Sequence, residues 1–203
     1  MRVFEMFCGT CSFSSLFEDA ITTDNNSEFN ADIIGDVLEL DFSDIKCDVL
    51  WASPPCTYFS VASIGKHWHP DHTPKSDNAL IGLAILDKTI KTIAELKPKH
   101  WFIENPRGKM RRKIDEIFER HGIKDYKRET VTYCQYGDTR MKPTDIWHNT
   151  NWKPKPMCKN GDPCHVSAPR GSATGTQGLK GNKIRSIIPK QLCEEIKEAI
   201  WQE

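Results

Sequence analysis

Residues 51–60, WASPPCTYFS, constrain this chain more than any other stretch. An apolar run with strand character, residues 47–52, stops at Ser53-Pro54-Pro55 and hands Cys56 to the loop beyond. Proline fixes φ and lacks an N–H, so the pair forbids a continuing sheet ladder. A strand that ends on one thiol gives it a rigid launch point at the carboxyl end of a sheet, where open α/β folds bind ligands. Taken locally, Cys56 fits a buried structural cysteine equally well, because a free thiol behaves as a small hydrophobe.

The rest of the chain supplies the α/β context. Residues 2–7 (RVFEMF) read as a first strand, followed by the small-residue turn Cys8-Gly9-Thr10-Cys11-Ser12 and an apolar-periodic helical segment, 13–17. Strand, tight turn and helix begin a nucleotide-type unit, in which the helix start and a close backbone approach receive a ligand. Cys8 and Cys11 read as small packing residues of that turn. Residues 20–24 (AITTD) form a second strand ending on Asp24, where such folds place the acid that takes ribose hydroxyls. A third strand lies within 31–40, with Asp36 after Gly35. Leu83, Leu86, Ile90, Ile93 and Leu96 recur at helical spacing, which predicts a helix over 78–96 capped by Asp77 or Asn78 and ended by Lys97-Pro98. A strand over 100–103 stops at Glu104-Asn105-Pro106, so a thiol and a carboxyl reach the same sheet edge. A helix over 109–120, strands over 126–134 and 144–148, and an amphipathic helix over 189–201 complete the pattern.

Between these elements, residues 61–77 read as a mobile loop. Its histidines, His67, His69 and His72, are interrupted by Pro70 and accompanied by no cysteine, a poor metal site. Residues 152–187 have little apolar periodicity and many Gly, Pro, Lys and Ser, the mark of an irregular appendage. Cys158, Cys164 and His165 are weak zinc candidates there, with no fourth ligand evident nearby, so no metal is assigned.

Charge is distributed unevenly although the net is zero. Residues 1–50 carry 2 Lys/Arg against 11 Asp/Glu, whereas 153–190 carry 8 Lys/Arg against 1 Asp. The run RGKMRRK, 107–113, adds to the basic side. Such polarity suits a cationic ligand on the acidic half and a polyanion on the basic half. With 38% hydrophobic and 28% charged residues, no apolar run of bilayer length and no secretory signal pattern, the sequence reads as a soluble, cytoplasmic, monomeric protein. Eight cysteines in that setting point to reduced thiols rather than a disulfide framework.

Together these stretches resemble the cytosine-5 DNA methyltransferases. Phe7-Cys8-Gly9 with Phe13 looks like the family's first motif, with Cys11 and Ser12 in place of later glycines. Asp24 and Asp36 fall at the ribose and adenine acids. Pro55-Cys56 with Phe59-Ser60 matches the catalytic Pro-Cys element, and Glu104-Asn105 matches Glu-Asn-Val with Pro106 for Val. Tyr136-Gly137 and Arg140-x-Lys142 resemble Gln-x-Arg-x-Arg, with Asp138 at the Gln place. Ile188-Pro189 opens the last family motif. The resemblance implies an S-adenosylmethionine-dependent, Rossmann-like α/β sheet with helices on both faces.

It further implies Cys56 as nucleophile, Glu104 as the group on ring nitrogen 3, and Arg140 and Lys142 on the base oxygen and phosphate. Phe7, Gly9, Thr10, Asp24, Asp36 and Pro55 would hold S-adenosylmethionine. Ser60, Asn105, Lys180 and Lys183 would contact DNA. A catalytic part would span 1–151, a short basic recognition appendage 152–187 and a closing helix 188–203. In the appendage Lys153, Lys155, Arg170, Lys180, Lys183 and Arg185 would meet phosphates. Two other readings stay open, the same chemistry on RNA or a free cytosine nucleotide, and an inactive nucleic-acid-binding homologue.

Overall fold

The computed structural model describes residues 1–167 and 181–203; Arg170 and Lys180 lie outside them. Seven strands form one sheet: β1 (Val3–Met6), β2 (Ala20–Asp24), β3 (Ile33–Ile34), β4 (Val49–Ala52), β5 (His100–Pro106), β6 (Lys127–Thr132) and β7 (Pro143–His148), in the order β3-β2-β1-β4-β5-β7-β6. The first five run parallel, and β7 enters antiparallel between β5 and β6.

Central strands of such a sheet are covered on both faces, so nearly every residue must be apolar. All four residues of β1 and of β4 are buried. Alternate residues serve different layers: Phe4, Met6, Leu50, Ala52, Trp101 and Ile103 join one core, and Val3, Val49, Trp51 and Phe102 the other.

The first core is closed by α2 (Asp77–Leu96) and α3 (Ile114–Arg120), through Leu86, Ile90, Ile93, Ile117 and Phe118. Ser76 caps α2 by accepting from the Ala79 N–H at 3.3 Å, one residue before the expected cap. Lys97, at φ 48°, ends it. The second core is closed by α5 (Lys190–Trp201), through Leu192, Cys193, Ile196 and Ile200. Helices therefore lie on both faces, as expected.

Some elements differ from expectation. The helix over 13–17 is a single 3-10 turn, Ser14–Leu16, because the crossover from Met6 to Ala20 has barely the dozen or so residues a parallel connection needs. Phe13 instead stacks on Trp51 with ring centroids 4.5 Å apart, and α5 covers the face such a helix would have covered. The loop 61–77 is folded on itself. It contains a 3-10 turn and α1 (Ile64–His67), and buries Trp68, whose Nε1 donates to the Tyr58 carbonyl at 2.7 Å. His67 is a satisfied core histidine, its Nδ1 2.8 Å from the Ser76 hydroxyl. A short helix absent from the sequence reading, α4 (Asn182–Ser186), precedes α5.

Candidate active site

Cys56 opens the 3-10 turn Cys56–Tyr58 just past β4. The register of β4 and β5 pairs Ala52 with Ile103, so Glu104 and Asn105 stand one and two residues beyond the end of the thiol's strand. The end of β5 and the turn after it clamp the Cys56 loop on two sides. Asn105 Nδ2 donates to the buried Pro54 carbonyl at 2.7 Å, and the Lys109 N–H donates to the Phe59 carbonyl at 2.8 Å. The second contact requires glycine at 108, where a Cβ would lie 2.3 Å from the Phe59 oxygen.

Glu104 is buried and accepts from the Tyr133 hydroxyl at 2.9 Å. Lys142 has its Nζ 4.5 Å from the Tyr133 ring centre and 3.2 Å from the Arg185 carbonyl. Burial pulls the Lys142 ammonium below the ordinary lysine range, opposed by the Glu104 charge. Its backbone sits at φ 29°, a strained conformation for a residue with a side chain. Burial pushes the Cys56 thiol up, Glu104 pushes it further, and Lys142 and Arg185 oppose both. Thiol and ammonium thus both sense the Glu104 carboxyl, the three groups being brought together from three separate chain segments.

Arg140 takes a different place from Lys142. It forms a forked ion pair with Asp138, Nε to Oδ1 at 2.9 Å, and reaches the Arg185 and Ile187 carbonyls at 3.3 Å. Its guanidinium staples the segment before α5 to the loop that carries Lys142, so of the two expected cations Lys142 faces the thiol. Asn105 likewise has its amide engaged by Pro54, and Ser60 bonds the Ser63 hydroxyl at 2.9 Å.

On the same sheet edge the turn after β1 bends through left-handed backbone at Phe7, Gly9 and Cys11. The Asp24 carboxylate accepts from the Gly9 N–H at 2.9 Å and the Asn26 N–H at 2.9 Å. Half-exposed Ile34 pairs with Asp24 in the sheet, and exposed Asp36 follows it. A strand-end carboxylate beside an exposed apolar residue and a second acid fits the ribose and flat base of S-adenosylmethionine. Thr10 bonds the Ser12 hydroxyl at 3.0 Å, and Pro55 is exposed beside the Cys56 turn. α4 reaches this turn: a Cβ on Gly9 would lie 3.5 Å from the Ser186 hydroxyl. Lys183 is exposed on α4.

The basic run 107–113 does not form one polyanion surface. Lys109 is buried with its Nζ 2.6 Å from His72 Nδ1, and Arg111 pairs with the fully buried Asp145 and with Thr130. Charges that look alike in sequence divide because Asp145 needs a buried partner. Sequence reasoning also missed Tyr133. Its signal was two-residue alternation with Val131 at the end of β6, which places both on the face shared with Ile146. Cys158, Cys164 and His165 do come together, and Cys134 joins them.

Among the described residues, no helix is long and apolar enough to cross a membrane. Residues 1–121 match the family model of C-5 cytosine-specific DNA methylases. The "Probable DNA (cytosine-5)-methyltransferase" of Frog virus 3 is 27% identical over 220 residues, covering 97% of this chain and 98% of the viral protein. The fold is shared with a prophage-encoded E. coli protein described as a DNA modification methyltransferase (TM-score 0.53, 16% identity, 73% of this chain and 46% of that one). It is shared equally with the S. pombe Dnmt2 methyltransferase (TM-score 0.51, 17% identity, 76% and 52%). The chain therefore spans about half the length of these two solved structures. With a matched segment that holds the Pro-Cys turn and the Glu-Asn strand, the chain belongs to the C-5 cytosine-specific DNA methylase family.

Proposed function

We propose that the protein methylates carbon 5 of cytosine in DNA, using Cys56 as a transient nucleophile. The observation that carries this reading is the convergence of the Cys56 turn, Glu104 and Lys142 at one sheet edge, with Asn105 bonded to Pro54 on the thiol side and Tyr133 touching both Glu104 and Lys142. Carbon 5 of cytosine is a poor nucleophile. Addition of the Cys56 thiolate to carbon 6 opens the 5,6 double bond and places the electron pair on carbon 5, splitting one hard step into two easier ones. Glu104, held by Tyr133, would stand at ring nitrogen 3, take up the proton that the Cys56 thiol releases and pass it to that nitrogen as the thiolate adds.

Burial first, and then the Glu104 charge, push the Cys56 thiol up. A base whose nitrogen 3 shares a proton with Glu104 offsets that charge, and Lys142 then favours the thiolate. Binding of the correct base would thus activate the nucleophile. When bound, S-adenosylmethionine supplies an electrophilic methyl group; Asp24, Asp36 and the Phe7–Gly9–Thr10 turn would hold it beside Pro55. Loss of the carbon 5 proton to water restores the double bond and expels Cys56 as its thiolate, and nitrogen 3 returns its proton to Glu104. Because the reacting carbon lies inside the duplex stack, the base must leave it. Exposed Lys183, on the helix beside the Gly9 turn, then suits a phosphate near the cleft. Lys153, by contrast, stands by His148 at the far end of β7, and the Lys155 ammonium is held by the Gln135 carbonyl and the Tyr136 ring.

The experiment supplies methyl-labelled S-adenosylmethionine with duplex DNA, single-stranded DNA, RNA or dCMP in parallel. Label in 5-methylcytosine of DNA supports the reading; label only in RNA or dCMP overturns it. DNA carrying 5-fluorocytosine should trap an adduct on Cys56, since fluorine does not leave as a proton does.

A further inference from the structure

We propose that Cys134, Cys158, Cys164 and His165 form a structural zinc site that fixes the start of the appendage to the active-site loop. Their four ligand atoms lie within 4.8 Å of one another. Cys134 Sγ is 3.1 Å from Cys158 Sγ and 3.6 Å from Cys164 Sγ; His165 Nδ1 is 3.8 Å from Cys158 Sγ and 3.6 Å from Cys164 Sγ. A tetrahedral zinc with ordinary bond lengths sets sulfur pairs about 3.8 Å apart and sulfur–nitrogen pairs about 3.5 Å apart. Both nitrogen distances and one sulfur distance agree, and the close Cys134–Cys158 pair is still far longer than the ~2.05 Å of a disulfide. Three thiolates with one imidazole favour zinc over hard cations such as calcium or magnesium.

The chain is built toward this arrangement. Cys134 lies on the 3-10 turn Tyr133–Tyr136, and the other three ligands come from a segment more than twenty residues further on. That segment is led in by backbone contacts. The Lys155 N–H donates to the Tyr136 hydroxyl at 2.9 Å, the Cys158 N–H to the Thr132 hydroxyl at 3.1 Å, and the Val166 N–H to the Thr139 carbonyl at 2.9 Å. From 153 to 167, Cys158 is the single buried apolar residue, so packing offers this stretch almost no stabilisation. A metal would supply what the absent core does not. Cys134 directly follows Tyr133, the donor to Glu104, and Thr139 directly precedes Arg140. Zinc would therefore also brace the loop that positions Glu104 and Lys142.

The test is metal analysis of the full chain, tag removed, purified in reductant without chelator. The expected result is about one zinc per chain. Cobalt(II) exchanged for it should give the intense thiolate charge-transfer band of tetrahedral sites. Cys164→Ser alters an exposed cysteine; it and His165→Asn should lower zinc occupancy well below that of the parent, while Cys47→Ser keeps it. Zinc removal should expose bonds within 153–167 to limited proteolysis. Folded parent protein that takes up neither zinc nor cobalt overturns the proposal. So does a Cys134–Cys158 disulfide in the reduced preparation, or equal zinc loss in Cys47→Ser. Should Cys164→Ser fail to fold, the cobalt spectrum of the parent decides alone.

Discussion

The Asn105 side chain donates to the Pro54 carbonyl over 2.7 Å, inside the protein, and so makes the carboxyl strand and the thiol turn one rigid piece. Asn105→Ala leaves that buried carbonyl without its donor, a loss of about 1–3 kcal/mol. Chemical denaturation should show the destabilisation. Turnover should fall further than cofactor affinity, because the Cys56 turn loses its reference to Glu104. Unchanged turnover would show that Gly108 and Lys109 hold the turn unaided.

Cys56 reactivity should follow the charges around it. Glu104 raises the thiol's pKa and Lys142 lowers it. Glu104→Gln should therefore speed iodoacetamide alkylation of Cys56 at pH 8, and Lys142→Met should slow it, since the thiolate is the reacting form. Peptide mass spectrometry separates Cys56 from the other cysteines. Cys56→Ser should abolish methyl transfer while cofactor binding persists; near-normal turnover in that variant would end the nucleophile assignment.

Asp24→Ala should weaken S-adenosylmethionine binding by roughly ten- to hundredfold, the 1.5–3 kcal/mol typical of a charge-assisted contact. Calorimetry provides the measurement. Full affinity in the variant would move the ribose acid elsewhere, with Glu28 next in line.

Arg111→Ala should behave as a stability mutant and not as a DNA-binding mutant. It leaves the fully buried Asp145 carboxylate without its cation, which costs about 3–5 kcal/mol for a buried pair. Its exposed neighbour Arg112 serves as control. Equal denaturation midpoints for Arg111→Ala and Arg112→Ala would show that the inward pairing contributes nothing.

Glu5 should make stability depend on pH. Burial raises its carboxyl to about 7, above the usual carboxylate range, although its Oε2 accepts from the Ser14 N–H at 2.7 Å. The folded chain thus holds a proton that the unfolded chain has released. Between the ordinary glutamate pKa and about 7, rising pH favours the unfolded state, and above that the cost is constant, up to about 3 kcal/mol. Glu5→Gln should raise the thermal midpoint at pH 8 and lose that advantage near pH 4. An advantage that does not vary with pH would assign the effect to packing.

The sequence by itself determined the strands around Val49–Ala52 and His100–Ile103, the helices Asp77–Leu96 and Lys190–Trp201, and the convergence of Cys56 and Glu104 on one edge. Each of these follows from short-range rules: apolar runs buried on both faces, three-to-four spacing, and the prolines after Ala52. The expected stop at Glu104 does not hold, because β5 runs on to Pro106, paired with the distant β7. The tertiary structure alone decided the partners. Tyr133 reaches Glu104, Cys134 completes the set begun by Cys158, Arg140 turns to Asp138 and the segment before α5, and Lys109 and Arg111 face inward. All but the Asp138 contact join residues far apart in the chain. Local pattern records which side chains must leave water; which buried donor meets which acceptor is settled only when the sheet order brings distant segments side by side.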